Sequence, residues 1–178
     1  MRFPPVPTSR SSYGAAFNVP TYRAVQSQLV VELRRARRYE HPLGVVMLSL
    51  QIPVGVRGMK VGRVVASSPL EVTPAAYGLL GAYLRNTLRE TDILTGMPES
   101  LAFATFLPGV ERQGAEQALE RFHDGFLACA GFDVRGGVAA FPLDGLTIED
   151  VLERASDAWR TACRREIAAS TTTRYSHG

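Results

Sequence analysis

The stretch Leu43 to Ile52 (LGVVMLSLQI) constrains the fold of this chain more than any other feature. It is an apolar run with the length of a buried strand, and it falls far short of the roughly 20 residues needed to span a bilayer. A helix precedes it. Between Pro20 and Tyr39, the positions Val25, Leu29, Val30 and Leu33 recur at spacings of three and four, which is one face of an amphipathic helix. Its far end carries Arg34, Arg35, Arg37 and Arg38, cations that complement the carbonyl end of the helix dipole. His41-Pro42 then breaks it. A solvated, dipole-matched helix end accounts for this arginine cluster without any ligand.

Residues 53–72 read as a loop, rich in Gly, Pro and Ser, with a short strand expected within Lys60 to Ala66. A second helix is expected over 73–89, with Thr73 as its cap and Pro74 in its first turn. Leu79, Leu80, Tyr83, Leu84 and Leu88 form its apolar face. Two short apolar segments, Ile93 to Thr95 and Leu101 to Leu107, flank Gly96-Met97-Pro98-Glu99-Ser100, which has hairpin chemistry. A helix over 111–128, a strand over 132–141 and a final helix over 147–167 complete the folded unit. Thr147 and Asp150 have capping-box spacing, with Asp in place of the preferred Glu. Residues 1–17 are expected to be a flexible arm, residues 18–168 one domain, and residues 169–178 a flexible tail.

The chain has 178 residues, 46% hydrophobic and 21% charged, which is ordinary for a soluble globular domain and excludes a wholly disordered one. No basic start followed by an apolar stretch opens it, so a cytoplasmic address is expected. The net charge of +3 is too small to argue for a duplex-binding protein. Lys60 is the single lysine, so nineteen of the 20 basic residues are arginine. A GC-rich genome explains that bias; so does recognition of phosphate or guanine, which suits the planar guanidinium. Cys129 and Cys163 lack metal spacing and are expected to be buried small apolar residues. His41, His123 and His177 form no grouping that suggests a metal or a catalytic triad. No metal or other cofactor is expected.

The order of elements, with its local sequences, resembles a GGDEF domain, the family of diguanylate cyclases. Four stretches across about residues 17–167 carry the resemblance. ELRRARRYEHPLGVVMLSL is similar to the family's opening "el.rarr...pla.l.iDiD". AYLRNTLRETDIL is similar to "lA..Lr...R..D.va", FATFLPG to "FavlLPg", and GGVAAFPLDGLTIEDVLERASDAW to "iGvA.yP.dG.t.eeLl..AD.Al". The resemblance implies an α/β domain with a central mixed antiparallel sheet surrounded by helices.

It also implies where the cyclase chemistry would sit. Joining two GTP molecules by 3'-hydroxyl attack on an α-phosphate requires carboxylates that hold Mg²⁺. The pair matching "iDiD" on the first strand is Ser49 and Gln51, neither anionic. Counting back from Phe103, the GG(D/E)EF loop reads Glu99-Ser100-Leu101-Ala102-Phe103, without the glycines that admit guanine and phosphate and without either acid in its place, since Glu99 falls on a glycine position. The "hFK..ND" segment is replaced by the 53–72 loop, and the lysine of "ALY.AK" by Cys163. No cyclase activity is expected.

Many GGDEF domains carry a separate product-binding site marked R-x-x-D. Arg89-Glu90-Thr91-Asp92 falls within about one residue of that place, and Arg121 matches a further family arginine on the next helix. Such residues suit cyclic di-GMP: guanidinium groups to guanine O6 and N7 and to phosphate, a carboxylate to the guanine N1–H and amino group. The bland alternative is a surface ion pair worth roughly 0–1 kcal/mol. Two functions fit: a cyclic di-GMP receptor, or a module for protein partners or self-association. Single-stranded nucleic acid on Arg57, Lys60 and Arg63 is disfavoured, because no aromatics are interleaved for stacking. No membrane association is expected.

Overall fold

The computed structural model describes residues 19–51, 60–61, 64–65 and 69–175. The arm at 1–17 and most of the 53–68 segment, Arg57 and Arg63 included, lie outside the described residues. Helix α1 (Tyr22–Arg38) buries Val25, Leu29, Leu33 and Ala36 and ends in Arg35, Arg37 and Arg38. Tyr39 closes it, and Glu40 turns the chain at φ 54° ahead of Pro42. Strand β1 (Leu43–Gln51) is buried from Leu43 to Leu50.

Strands β2 (Lys60–Val61) and β3 (Val64–Val65) pair antiparallel as a separate ribbon. Helix α2 spans Pro69–Thr87, so its start corrects the reading of Thr73 and Pro74 as its opening residues. Pro69 has the same fixed φ suited to a first helical position and comes earlier in the chain. Strands β4 (Ile93–Met97) and β5 (Ala102–Pro108) form the hairpin, joined by a 3-10 turn at Pro98–Ser100. Gly96 and Met97 belong to β4 rather than to the turn, because Met97 pairs with Ala102. Helix α3 (Arg112–Ala130) ends at Gly131, whose φ of 73° closes it onto the Leu127 carbonyl. Strand β6 (Asp133–Phe141) and helix α4 (Ile148–Tyr175) follow. Helix α4 runs past the expected end near Ile167; its sequence meets no Gly or Pro before Gly178.

The four long strands form one sheet in the order β4-β5-β1-β6, every ladder antiparallel. Among the described residues the single parallel feature is the bridge Thr21–Gly96, where the entry to α1 covers the β4 edge. Alternation along β1 sends Val46, Leu48 and Leu50 to one side, against Leu80 and Leu84 of α2 and Phe122 and Phe126 of α3. Val45 and Met47 point the other way, against Leu29 and Leu33 of α1 and Val151 and Ala155 of α4. A strand buried on both faces needs helices on both, which is why an unbroken apolar run sits at the centre.

Four burial expectations are corrected. Val30 and Leu79 are exposed, because their neighbours Leu29 and Leu80 take the core-facing direction. Cys129 is exposed on the last turn of α3, beyond the positions 115, 118, 122 and 126 that face the sheet; Cys163 is only partly buried.

Candidate functional site

The α2–β4 turn folds back on itself. The Arg89 N–H donates to Asp92 Oδ2 at 2.8 Å, and the Asp92 N–H donates to the Arg89 carbonyl at 3.0 Å. The two residues are thereby held at the end of α2, with the second carboxylate oxygen of Asp92 not used by this turn. Helix α3 is held close to α2 by Tyr83, whose hydroxyl donates to the Arg121 carbonyl at 3.3 Å. Gly125 allows that approach: a Cβ there would stand 2.1 Å from the Tyr83 hydroxyl oxygen.

Between these elements lies an open pocket of about 540 Å³ that collects Arg89, Asp92 and Arg121. Leu88, Leu107, Val110 and Phe122 supply apolar lining, and Gln117, Glu120 and Asp124 further polar groups. The three residues expected to form a ligand site thus converge from two different elements. Arg89 and Arg121 are exposed, and among the described residues neither guanidinium is held in an ion pair. The pocket's charged lining is two arginines against three carboxylates.

The positions matching the cyclase machinery do not join this pocket. Ser49 is buried in β1 and accepts a hydrogen bond from Trp159 Nε1 of α4 at 2.9 Å. Gln51 keeps its Oε1 buried and, among the described residues, without a hydrogen-bond partner. Glu99 and Ser100 are exposed on the 3-10 turn, and Leu101 takes a left-handed conformation at φ 50°. Ala102 and Phe103 are buried on opposite faces of β5, Ala102 towards α1 and α4, Phe103 towards α2 and α3. Ser49 and Gln51 offer no carboxylate, so the donors present there do not fit Mg²⁺. Among the described residues no group of three or more His, Cys, Asp and Glu side chains is placed to hold a metal ion, and no helix is long and apolar enough to cross a membrane.

Sequence reasoning missed a polar cluster beside the pocket. His123 Nε2 lies 2.6 Å from Asp133 Oδ1 and Nδ1 lies 2.9 Å from Asp124 Oδ1, while Arg135 donates to Asp133 Oδ2 at 2.5 Å. Hydrogen bonding to Asp124 raises the His123 pKa most, partial burial opposes it, and Asp133 adds to the rise. The signal available in the sequence was Gly131, which turns α3 into β6 and so brings residues 123 and 133 together. Trp159 was missed as well, since nothing local ties it to Ser49.

No protein-family model matches the sequence, and no curated protein matches it. Solved structures do match in fold. The GGDEF domain of TpbB (YfiN) from Pseudomonas aeruginosa superposes with a TM-score of 0.62 at 18% identity, over 85% of this chain and 88% of that one. A sensory box/GGDEF family protein from Caulobacter crescentus gives 0.64 at 16% identity, over 85% and 97%. The diguanylate cyclase SiaD from the same Pseudomonas, solved with its activator SiaC, gives 0.63 at 18% identity; the match covers 84% of this chain and 57% of SiaD. The fold of this chain is therefore GGDEF-like.

Proposed function

We propose that this chain is a GGDEF-like signalling module that has lost cyclase chemistry and binds cyclic di-GMP in the pocket of Arg89, Asp92 and Arg121. The observation that carries the reading is the convergence of those three side chains, from the α2–β4 turn and from α3, on one pocket. The guanidinium groups suit phosphate and the guanine O6/N7 edge, and the remaining Asp92 oxygen suits a guanine N–H. Loss of catalysis follows from Ser49 and Gln51 in place of metal-binding carboxylates and from a loop at residues 99–103 that brings neither glycine nor acid pair.

Calorimetric titration with cyclic di-GMP tests binding. Charge-assisted hydrogen bonds contribute roughly 1.5–3 kcal/mol each, so Arg89→Ala should weaken binding about ten- to a hundredfold. Asp92→Ala should act alike and Glu99→Ala should have little effect. Incubation with GTP and Mg²⁺ should yield no cyclic di-GMP. Metal-dependent turnover would refute the loss of catalysis, and absence of saturable binding at tens of micromolar ligand would refute the receptor.

A second reading, a protein-interaction module, is favoured by one specific observation. The arginine-rich end of α1 meets the turn before α4, where Arg37 donates to the Leu146 carbonyl, and Leu143 and Leu146 stand 73% and 63% exposed. The diguanylate cyclase SiaD, 57% of which matches this chain in fold, is in complex with its activator SiaC.

A further inference from the structure

Both ring nitrogens of His123 face carboxylate oxygens, Nδ1 towards Asp124 and Nε2 towards Asp133, at 2.9 and 2.6 Å. A carboxylate is an acceptor only, and a neutral imidazole has a single N–H. The neutral ring therefore leaves one nitrogen lone pair against an oxygen, whereas the imidazolium donates to both. With the proton, His123 sets a positive charge between Asp124 and Asp133; without it the cluster is one charge more negative.

That cluster is joined to the ligand pocket. Asp124 and Glu120 line the hollow that holds His123 and also line the pocket of Arg89 and Arg121. The charged groups facing His123 are Asp124 and Glu120 on its own helix and Asp133 and Arg135 on β6; from α4 the shared hollow receives only Ala162 among the described residues. The pocket already sets three carboxylates against two arginines. An anion entering it is repelled by Asp124 unless the neighbouring imidazolium offsets that charge.

We infer that binding of the cyclic di-GMP dianion in the Arg89–Arg121 pocket is linked to a proton on His123, so that affinity rises as pH falls. The inference rests on the receptor reading and adds a regulation to it. Linkage is reciprocal: a ligand that prefers the protonated cluster also draws a proton onto it. The hydrogen bonds that raise the His123 pKa above 6.5 bring this change towards neutral pH.

The test is calorimetric titration of the whole chain with cyclic di-GMP at about pH 6 and about pH 8, which bracket an upward-shifted histidine. Wild type should bind about threefold to tenfold tighter at the lower pH, the effect of one added charge on a dianion across a wet pocket. At intermediate pH, buffers of different ionisation enthalpy should reveal net proton uptake. His123→Gln should abolish the pH dependence, and His123→Arg should hold the higher affinity at both pH values. Equal wild-type affinity at both pH values, or an unchanged pH dependence in His123→Gln, overturns the linkage and leaves the receptor standing. If His123→Gln does not fold, proton uptake by wild type decides alone. Absence of saturable binding at both pH values removes the receptor and the linkage together.

Discussion

Gly137 lies where α4 crosses β6, and a Cβ built on it would stand 2.1 Å from the Trp159 backbone nitrogen and 2.5 Å from the Ala155 carbonyl oxygen. The obstacle is main chain, which cannot rotate away. Gly137→Ala should therefore cost about 3 kcal/mol, the upper part of the overpacking range, read from urea unfolding midpoints. Gly109 is the contrasting case. Nothing lies within 4 Å of its would-be Cβ, but its φ is 75°. Gly109→Ala should cost only about 1 kcal/mol, from the left-handed backbone alone. A larger loss at Gly109 than at Gly137 would contradict the close crossing of α4 over the sheet. Ser49 and Trp159 occupy the same crossing. The hydroxyl at the position matching a family metal ligand is here engaged by the indole N–H.

Helix α4 begins with a reciprocal cap. The Asp150 N–H donates to Thr147 Oγ1 at 3.0 Å, and the Thr147 and Leu146 N–H groups donate to Asp150 Oδ2 at 3.0 and 3.3 Å. The capping-box spacing read from the sequence is thus realised with Asp in the third position. Thr147→Ala should destabilise by about 1 kcal/mol. Hydrogen bonding to the Thr147 side chain, then to backbone N–H groups, holds Asp150 below its ordinary pKa of 3.8. Its contribution is therefore present above that value and is lost as pH falls through the lowered one. The tie between α3 and β6 has the opposite sign. His123 is raised above 6.5, so its stabilisation is full below that pH and is lost as pH rises through the folded-state value. Urea midpoints of wild type should fall on the alkaline side of neutrality, and His123→Gln should flatten that fall. A variant that keeps the wild-type alkaline loss would show that another group carries it.

The whole sheet is stabilised by two apolar layers; the Arg89–Arg121 pocket touches one of them at its edge, through Leu107, Ala118 and Phe122. Leu80, Leu84, Phe122 and Phe126 cover one face, and Leu29, Val151 and Ala155 the other. Unfolding should be a single cooperative transition without any nucleotide. Trp159 is the only tryptophan, so its fluorescence reports the contact of α4 with β1, while far-ultraviolet dichroism reports all helices. The two probes should give coincident transitions. A dichroism transition that lags fluorescence, or a fold that requires cyclic di-GMP, would contradict a core that is complete without a ligand.

At the same scale, local chemistry determined the elements and the tertiary structure determined their meetings. The apolar run at 43–50, the spacing of Val25, Leu29 and Leu33, the break at His41-Pro42 and the Thr147–Asp150 box each act within a few residues, so the sequence alone made them legible. Arg89 and Asp92 are also joined within a few residues, but by backbone N–H hydrogen bonds across the turn and not by the ion pair that their charges suggest. Burial at the rim of a helix face is not local: Leu29 and Val30, or Leu80 and Leu79, differ by one step of rotation, and only the packed sheet selects between them. The start of α2 was read at Thr73-Pro74 and lies at Pro69, a proline with the same backbone preference. Long-range contacts were hidden from local chemistry. Trp159 reaches Ser49 across 110 positions, and His123 finds Asp133 because Gly131 reverses the chain between them. Only the family resemblance put Arg121 with Arg89, which the packing of α3 on α2 brings to one pocket. Periodicity records which way a side chain faces along its own element, but which side chains meet depends on how the elements pack in three dimensions.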